Sequence, residues 1–258
     1  EIPPRDFYSS LTGEREKAKG YGSKTGFNQN IEAIRLLKKL KEENRNASLE
    51  EQRILSRYMG WGGLPQAFDE KNAAWEKEYK ELKSLLGEEE YEKARASTLT
   101  AFYTDEAVIK AMWEKVMEMG FAGGNVLEPA MGTGKFYSAM PEALRDSVVK
   151  YGVELDPVSA GIARKLHPNA HIETGGFETN GFGENQFDLV IGNVPFGDFK
   201  VYDPKHKKED FTIHNYFFVK ALDAVREGGI VAFLTSTGTM DALDGRAREY
   251  IAARADLL

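Results

Sequence analysis

From Ser97 onward, short apolar runs alternate with helical stretches, and this alternation most constrains what the chain can fold into. Strand, crossover helix and strand in succession give a parallel sheet with helices packed on its faces. NVLEPA (125–130) reads as the first strand, VVKYGVELD (148–156) as the second and AHIE (170–173) as the third. FDLVIG (187–192) and GIVAFLTS (229–236) read as the fourth and fifth. The fourth run is nearly all apolar, as a strand buried on both faces requires. Helices are predicted over 105–119, from Lys135, and over 157–166, 213–226 and 244–256.

The front of the chain lacks this alternation. Residues 1–27 are rich in Gly, Ser, Lys and Pro without an apolar period, and read as an extended tail. Ile31, Ile34, Leu37 and Leu40 then recur every three residues, predicting an amphipathic helix over 28–44. Ser48 and Glu51 form a capping box for a second helix carrying Ile54, Leu55 and Tyr58, which Gly60 stops. Two more helices are expected around 70–86 and 88–96. The chain thus divides into a tail (1–27), a helical N-terminal extension (28–96) and an α/β core (97–258). Trp61, Trp75 and Trp113 fit packing positions better than base-stacking ones.

The turn EPAMGTGKF (128–136) joins the first strand to its helix. Gly132 and Gly134 let main-chain amides approach a ligand, and a helix N-terminus favours negative charge. A phosphate-cradling P-loop needs Gly six positions before its Lys and Ser or Thr after it; Pro129 and Phe136 stand there instead. A dinucleotide fingerprint needs a third Gly where Tyr137 stands. An acidic residue at the strand tip would repel a diphosphate but suits a cationic sulfonium, so S-adenosylmethionine is the expected cofactor. Glu154 and Asp156 end the second strand, 26 residues or more beyond Glu128, where a carboxylate can accept ribose hydroxyls; the alternative is a pair of solvated loop acids.

The fourth strand runs into GNVPFGDF (192–199). Ligands of open parallel sheets lie beyond the carboxyl ends of the strands at the switch point, which puts Asn193 beside the glycine turn. Asn193 offers an amide acceptor, Val194 a main-chain carbonyl, Pro195 rigidity and Phe196 a flat apolar face. Two acceptors and a stacking ring match an exocyclic amino group on a planar ring, and orientation with electrostatics can carry its methylation without a strong base.

With these motifs the chain resembles the adenine class of amino-methylating DNA methyltransferases, in the gamma-like motif order. LEPAMGTGKF is similar to their cofactor motif, NVPF to the (Asn/Asp)-Pro-Pro-(Tyr/Phe) catalytic motif, and TAFYTDEAV (100–108) to the segment that folds over the methionine end. The front portion resembles the lead-in of large methylase–helicase polypeptides of conjugative elements and phages. The resemblance implies a Rossmann-like class I S-adenosylmethionine-dependent methyltransferase sheet, and methyl transfer to a flipped adenine. It implies that Tyr103 and Thr104 contact the methionine moiety, and that Glu128, Pro129, Gly132 and Gly134 form the cofactor turn. Glu154 would hold the ribose, Phe177 would flank the cofactor adenine, and Asn193, Val194, Pro195 and Phe196 would grip the target base. Two positions depart from the pattern: Gly176 stands where the family has the acid that reads the cofactor's amino group, for which Glu178 is the candidate substitute, with reduced cofactor affinity as the alternative, and Val194 replaces the first Pro while keeping its main-chain carbonyl.

Composition narrows the rest. The 258 residues contain no Cys, which excludes a disulfide framework and thiolate metal sites, and the four His show no ligand spacing, so no metal is expected. No run approaches the roughly 20 apolar residues that span a bilayer, and no signal peptide is evident, so a cytoplasmic protein is expected. A net charge of −7 argues against non-specific coating of nucleic acid but leaves room for a local basic patch. KVYDPKHKK (200–208) supplies one, and Lys200, Lys205, Lys207 and Lys208 are candidate contacts to duplex DNA; the alternative is a solvated face. A start at Glu1 and five strands instead of seven suggest a truncated core with an exposed sheet edge, its target-recognition and helicase modules lying outside it. A non-catalytic module of an anti-restriction or DNA-transfer protein, and a protein glutamine methyltransferase, are the competing readings.

Overall fold

The computed structural model describes residues 2–11, 23–98 and 104–258. Five parallel strands form one sheet in the order β3-β2-β1-β4-β5. They are β1 (Gly124–Glu128), β2 (Val148–Glu154), β3 (His171–Thr174), β4 (Phe187–Asn193) and β5 (Val225–Leu234). The chain winds from β1 outward to β3, then returns to the other side for β4 and β5. The switch point therefore lies between the carboxyl ends of β1 and β4, where Val126 pairs with Leu189 and Leu127 with Val190.

Alternating residues of the central strands face different layers. Val126, Leu189 and Ile191 pack with Ile109, Trp113 and Val116 of α5 (Glu106–Glu118) and with Ala163 of α7 (Pro157–Leu166). Leu127, Val153 and Val190 pack instead with Ile213, Phe217 and Ala221 of α8 (Ile213–Ala224). Helices thus cover both faces, and the near-continuous apolar run of β4 is explained by its burial between two layers.

The front of the chain forms α1 (Ser23–Glu42), α2 (Leu49–Ser56), α3 (Glu76–Leu85) and α4 (Glu88–Ser97). These helices pack outside α7, and their apolar side chains merge with Val158, Ile162 and Leu166 into one cluster. The expected capping box opens α2: Ser48 Oγ accepts the Glu51 amide and Glu51 accepts the Ser48 amide at 2.9 Å. Trp61, Trp75 and Trp113 are buried.

Several elements differ from the sequence expectation. Where it is described ahead of α1, the segment 1–27 is an arm laid against the core. Phe7 is buried and its amide donates to Leu166 O at 2.7 Å, while Asp6 and Tyr8 reach Lys150. A single aromatic anchor among polar residues produces no period, so pattern reading misses it. α1 starts at Ser23, ahead of the expected residue 28, and buries Phe27. α6 (Lys135–Ser138) lasts one turn, because the chain meets Pro141, which cannot continue a helical ladder. α8 ends at Ala224 and β5 begins at the next residue, four positions earlier than expected. A register irregularity opposite Phe187 and Leu189 absorbs the REGG stretch, with Gly228 at φ +71°. The last helices, α9 (Gly238–Asp241) and α10 (Arg246–Ala252), are shorter than the stretch predicted over 244–256. Among the described residues no helix is long and apolar enough to cross a membrane.

Candidate functional site

β1 ends at Glu128, and the chain turns through Pro129–Gly134 into α6. Gly134 takes φ +81° and Gly132 φ +55°, left-handed values that a side chain disfavours. A Cβ on Gly134 would also come within 2.7 Å of the buried His167 ring, which supports the turn from below through Gly134 O at 3.0 Å. No heavy atom lies within 4 Å of where a Cβ of Gly132 would sit, so its backbone borders open space. Burial, and then the nearby Lys150 charge, lower the His167 pKa to about 3, which keeps this imidazole neutral.

The turn is held from β2. Met131 N donates to Val153 O at 3.1 Å, and Gly132 N donates to Glu154 Oε2 at 2.7 Å. The other Glu154 oxygen accepts the Asp156 amide at 2.8 Å. Asp156 then caps α7, accepting the amides of Val158 and Ser159 at 3.2 and 2.9 Å, with Pro157 at the first helical position. Burial pushes the Glu154 pKa up to about 7; the two amides oppose this rise and the Asp156 charge adds to it.

A cavity of about 690 Å³ opens over this turn. Of the predicted cofactor residues, Thr104, Glu128, Pro129, Gly132, Glu154 and Phe177 line it. Gly134 stands behind the wall, shaping the turn, and Tyr103 lies outside the described residues. All four predicted catalytic residues, Asn193, Val194, Pro195 and Phe196, line the same cavity. Asn193 Nδ2 donates to Thr104 Oγ1 at 3.0 Å, so the amide is oriented by the segment that precedes β1. Val194 N donates to Leu234 O at 3.1 Å, which ties the motif to the end of β5, and the Val194 side chain is buried in the α8 layer. Phe177 packs on Phe217 with ring centroids 5.1 Å apart and is buried except toward the cavity.

The charge of the cavity selects its ligand. Glu128 is buried, its Oε2 has no hydrogen-bond partner, and burial followed by the Glu154 charge raises its pKa well above the carboxylate range. Glu128 therefore holds its proton in the empty cavity, and a cationic ligand beside it would favour its ionised form. With half-buried Glu154 at the adjacent strand tip and half-buried Glu178, it gives the cavity three acids, which offer a polyphosphate no countercharge and give hydroxyl donors acceptors. A Cβ on Gly176 would lie only 2.1 Å from Glu178 Oε1, so that carboxylate occupies the volume a side chain at 176 would fill. The fold-back of Glu178, the substitute expected for the acid missing at 176, leaves an acid on the cavity wall.

Tyr58, Met59, Lys93 and Ser97 also line the cavity, and no sequence motif marks them as site residues. Sequence periodicity puts Tyr58 on the apolar stripe of the second helix, but α2 ends at Ser56 and Tyr58 stands on the corner that follows it. The basic stretch after the motif is pinned to α8: Tyr216 Oη donates to Asp203 at 2.6 Å, and His206 meets Asp223 at 2.6 Å. Lys200 pairs with Asp210 at 2.5 Å, and Lys205 with Glu184 and Asp223 at 2.6 and 2.7 Å. Lys207 and Lys208 are exposed.

Residues 149–257 match the family model of the Eco57I restriction-modification methylase. The chain is 30% identical over 141 residues to the defense against restriction protein B of Escherichia phage P1, covering 53% of this chain and 6% of that protein. It is 34% identical over 116 residues to the type II methyltransferase M.CvrRI of Paramecium bursaria Chlorella virus XZ-6E, covering 45% of this chain and 29% of that one. The chain therefore spans well under two thirds of these relatives. Among solved structures, the type I restriction-modification system methyltransferase subunit from Streptococcus thermophilus superposes with a TM-score of 0.51 at 13% identity, covering 88% of this chain and 72% of that chain. The fold is the Rossmann-like sheet of class I S-adenosylmethionine-dependent methyltransferases.

Proposed function

We propose that this chain carries the catalytic core of an enzyme that transfers the methyl group of S-adenosylmethionine to the exocyclic amino group of an adenine flipped out of duplex DNA. The observation that carries this reading is the meeting of Asn193–Phe196 with the Glu128–Gly134 turn in one cavity at the switch point of the sheet. The similarity of residues 149–257 to restriction-modification methylases supports DNA as the substrate.

The residues present fit the cofactor. Glu128, buried with an unpaired oxygen, suits a cationic ligand, and the open backbone of Gly132 allows close approach. Glu154 has two oxygens, each with an amide already donating and a lone pair to spare for a ribose hydroxyl. Glu178 stands beside Phe177 to accept from an amino group. Once bound, the cofactor supplies an activated methyl on sulfonium.

Asn193 and the Val194 carbonyl accept the two hydrogens of the target amino group, which localises the nitrogen lone pair toward the methyl donor. Phe196 offers its ring to the face of the base. Pro195 limits motion of the motif, and the Val194 amide bond to β5 supplies restraint that a second Pro would otherwise give. Orientation and the aligned acceptors, without a strong base, carry the acceleration. Lys207 and Lys208 are the members of the basic stretch placed to meet phosphate, because Lys200 and Lys205 are engaged by carboxylates of this chain. A helical region ahead of the α/β core, with its first helix starting at Ser23, and a cytoplasmic setting belong to the same reading.

The test is transfer of tritiated methyl from S-adenosylmethionine to duplex DNA, followed by nucleoside digestion. Label in N6-methyladenine, abolished by Asn193→Ala, supports the proposal. Label in cytosine or in protein glutamine, or no label from a protein that binds the cofactor, overturns it.

A further inference from the structure

The cavity is not built by the α/β sheet alone. Two stretches of the helical region reach it: the corner Tyr58–Gly60 that follows α2, and the last turns of α4 through Lys93, Ala96 and Ser97. The corner is held in an unusual way. Asn30 of α1 is fully buried, and its amide brackets the turn from both sides: Nδ2 donates to Gly60 O at 2.6 Å, and Oδ1 accepts the Met59 amide at 2.9 Å. A buried Asn satisfied by main chain on both ends fixes a loop as a strand pair would, without needing regular structure. Gly60 at φ +70° completes the bend.

The fixed corner points its side chains two ways. Tyr58 is 2% exposed and lies close enough to Asp156 and Glu154 for their charge to add to the effect of burial on it. The corner therefore abuts the tip of β2, where the cavity carries its ribose-accepting carboxylates. Met59, by contrast, lies with its sulfur over Gly26 of α1, where a Cβ would come within 2.8 Å of it, yet remains 37% exposed, although it is a large apolar residue on a clamped turn. Fixing an apolar side chain at a cavity rim costs entropy and leaves apolar surface in water, a combination expected of a wall that a ligand covers. A thioether is polarisable and adapts well to a flat aromatic or sugar surface.

We propose that the Asn30-clamped corner is part of the cofactor site: Met59 makes an apolar contact to the nucleoside part of bound S-adenosylmethionine, and Asn30 is the positioning residue that holds it there. The helical region then serves as one wall of the ligand site, not only as a support for α7. This rests on the cofactor reading given above and goes beyond it, since the family similarity begins at residue 149.

Hydrogen exchange of the whole chain, with and without S-adenosylhomocysteine, tests the inference. Binding should slow exchange both in the 128–134 turn and in peptides covering 58–62, and should leave α3, in the same helical body but away from the cavity, unchanged. Protection of 128–134 without 58–62 overturns the inference while leaving the cofactor reading intact. Equal protection of α3 marks a global effect and also overturns it. Absence of binding sinks the cofactor reading and the inference with it. Met59→Ala, at a half-exposed position, should fold with an unchanged Tm when free and bind S-adenosylhomocysteine about fivefold more weakly. Unaltered affinity overturns the role given to Met59. Asn30→Ala should weaken binding further and remove the protection at 58–62.

Discussion

The Glu154 carboxylate accepts the main-chain amide of Gly132 at 2.7 Å, so the acid at the tip of β2 shapes the glycine turn that follows β1. Its second oxygen accepts the Asp156 amide at 2.8 Å. Both oxygens need to be acceptors. Glu154→Gln replaces one of them with a donor that faces an N–H, so the variant should bind S-adenosylhomocysteine roughly tenfold to a hundredfold more weakly by calorimetry. Wild-type affinity in this variant would show that one oxygen is dispensable.

The raised pKa of Glu154 gives opposite pH trends for binding and stability. With its proton lost only near pH 7, against an ordinary value of 4.5, the free folded protein holds that proton more tightly than the unfolded chain does. This group's contribution to stability is therefore fully present below about 4.5, and falls as pH rises through the folded value. Acceptance of ribose hydroxyls by both oxygens needs the ionised form, so cofactor affinity should rise across the same window. The stabilisation conferred by S-adenosylhomocysteine, read as a Tm shift, should grow between pH 5.5 and pH 7.5 by up to about tenfold in affinity per pH unit below the pKa. A flat profile would contradict ionisation on binding. Glu128, pushed up by burial and by Glu154, should steepen the rise.

Residues that act through strand position were legible in the sequence. Asn193 and Glu154 end apolar runs, and the parallel topology then places both strand tips at the switch point. What could not be read arises from contacts between distant segments. The sequence offers Glu178 as a substitute two residues out of place, but not the fold-back that carries its carboxylate into the space above Gly176. Asn30 sits inside a helical period as one polar residue among many, and nothing local indicates that it clamps a turn 30 residues away. Phe7 and Asp6 lie in a stretch with no period at all. The helical front is too small and too charged to suggest a core of its own, but single-chain patterns cannot show that its core continues into α7.

Asn193 is oriented by Thr104, whose Oγ1 accepts its Nδ2 at 3.0 Å. Thr104→Val keeps the shape and removes the acceptor. The amide then loses this restraint, and its oxygen is held less firmly toward the target amino group. The expected result is a fall in kcat of about tenfold with a smaller change in the KM for S-adenosylmethionine. A change confined to KM would place Thr104 in cofactor binding alone.

The lysines of the basic stretch should separate by what they already touch. Lys207→Ala and Lys208→Ala should each weaken duplex DNA binding and lower the dependence of log affinity on log salt by about one unit. Lys205 bridges Glu184 and Asp223, so Lys205→Ala should lower Tm and change the salt slope little. Fluorescence anisotropy at several salt concentrations, with a thermal melt of each variant, distinguishes the two outcomes. Equal slopes for all three would mean that this stretch does not meet phosphate.

Lys150 of β2 is 4% exposed and its ammonium lies 2.7 Å from Asp6 and 2.7 Å from Tyr8 Oη. The N-terminal arm thus supplies the countercharge for a cation inside the sheet layer. Asp6→Ala leaves that cation buried with only a neutral hydroxyl, which should cost about 3 kcal/mol. For a chain of this size the loss corresponds to a fall in Tm of roughly 6–12 °C. Lys150→Met in the Asp6→Ala background removes the stranded charge while keeping an apolar stem of similar length, and should recover most of the loss. Recovery would show that the arm acts through charge; a melt that stays low in the double variant would assign its contribution to Phe7 packing against α7 instead.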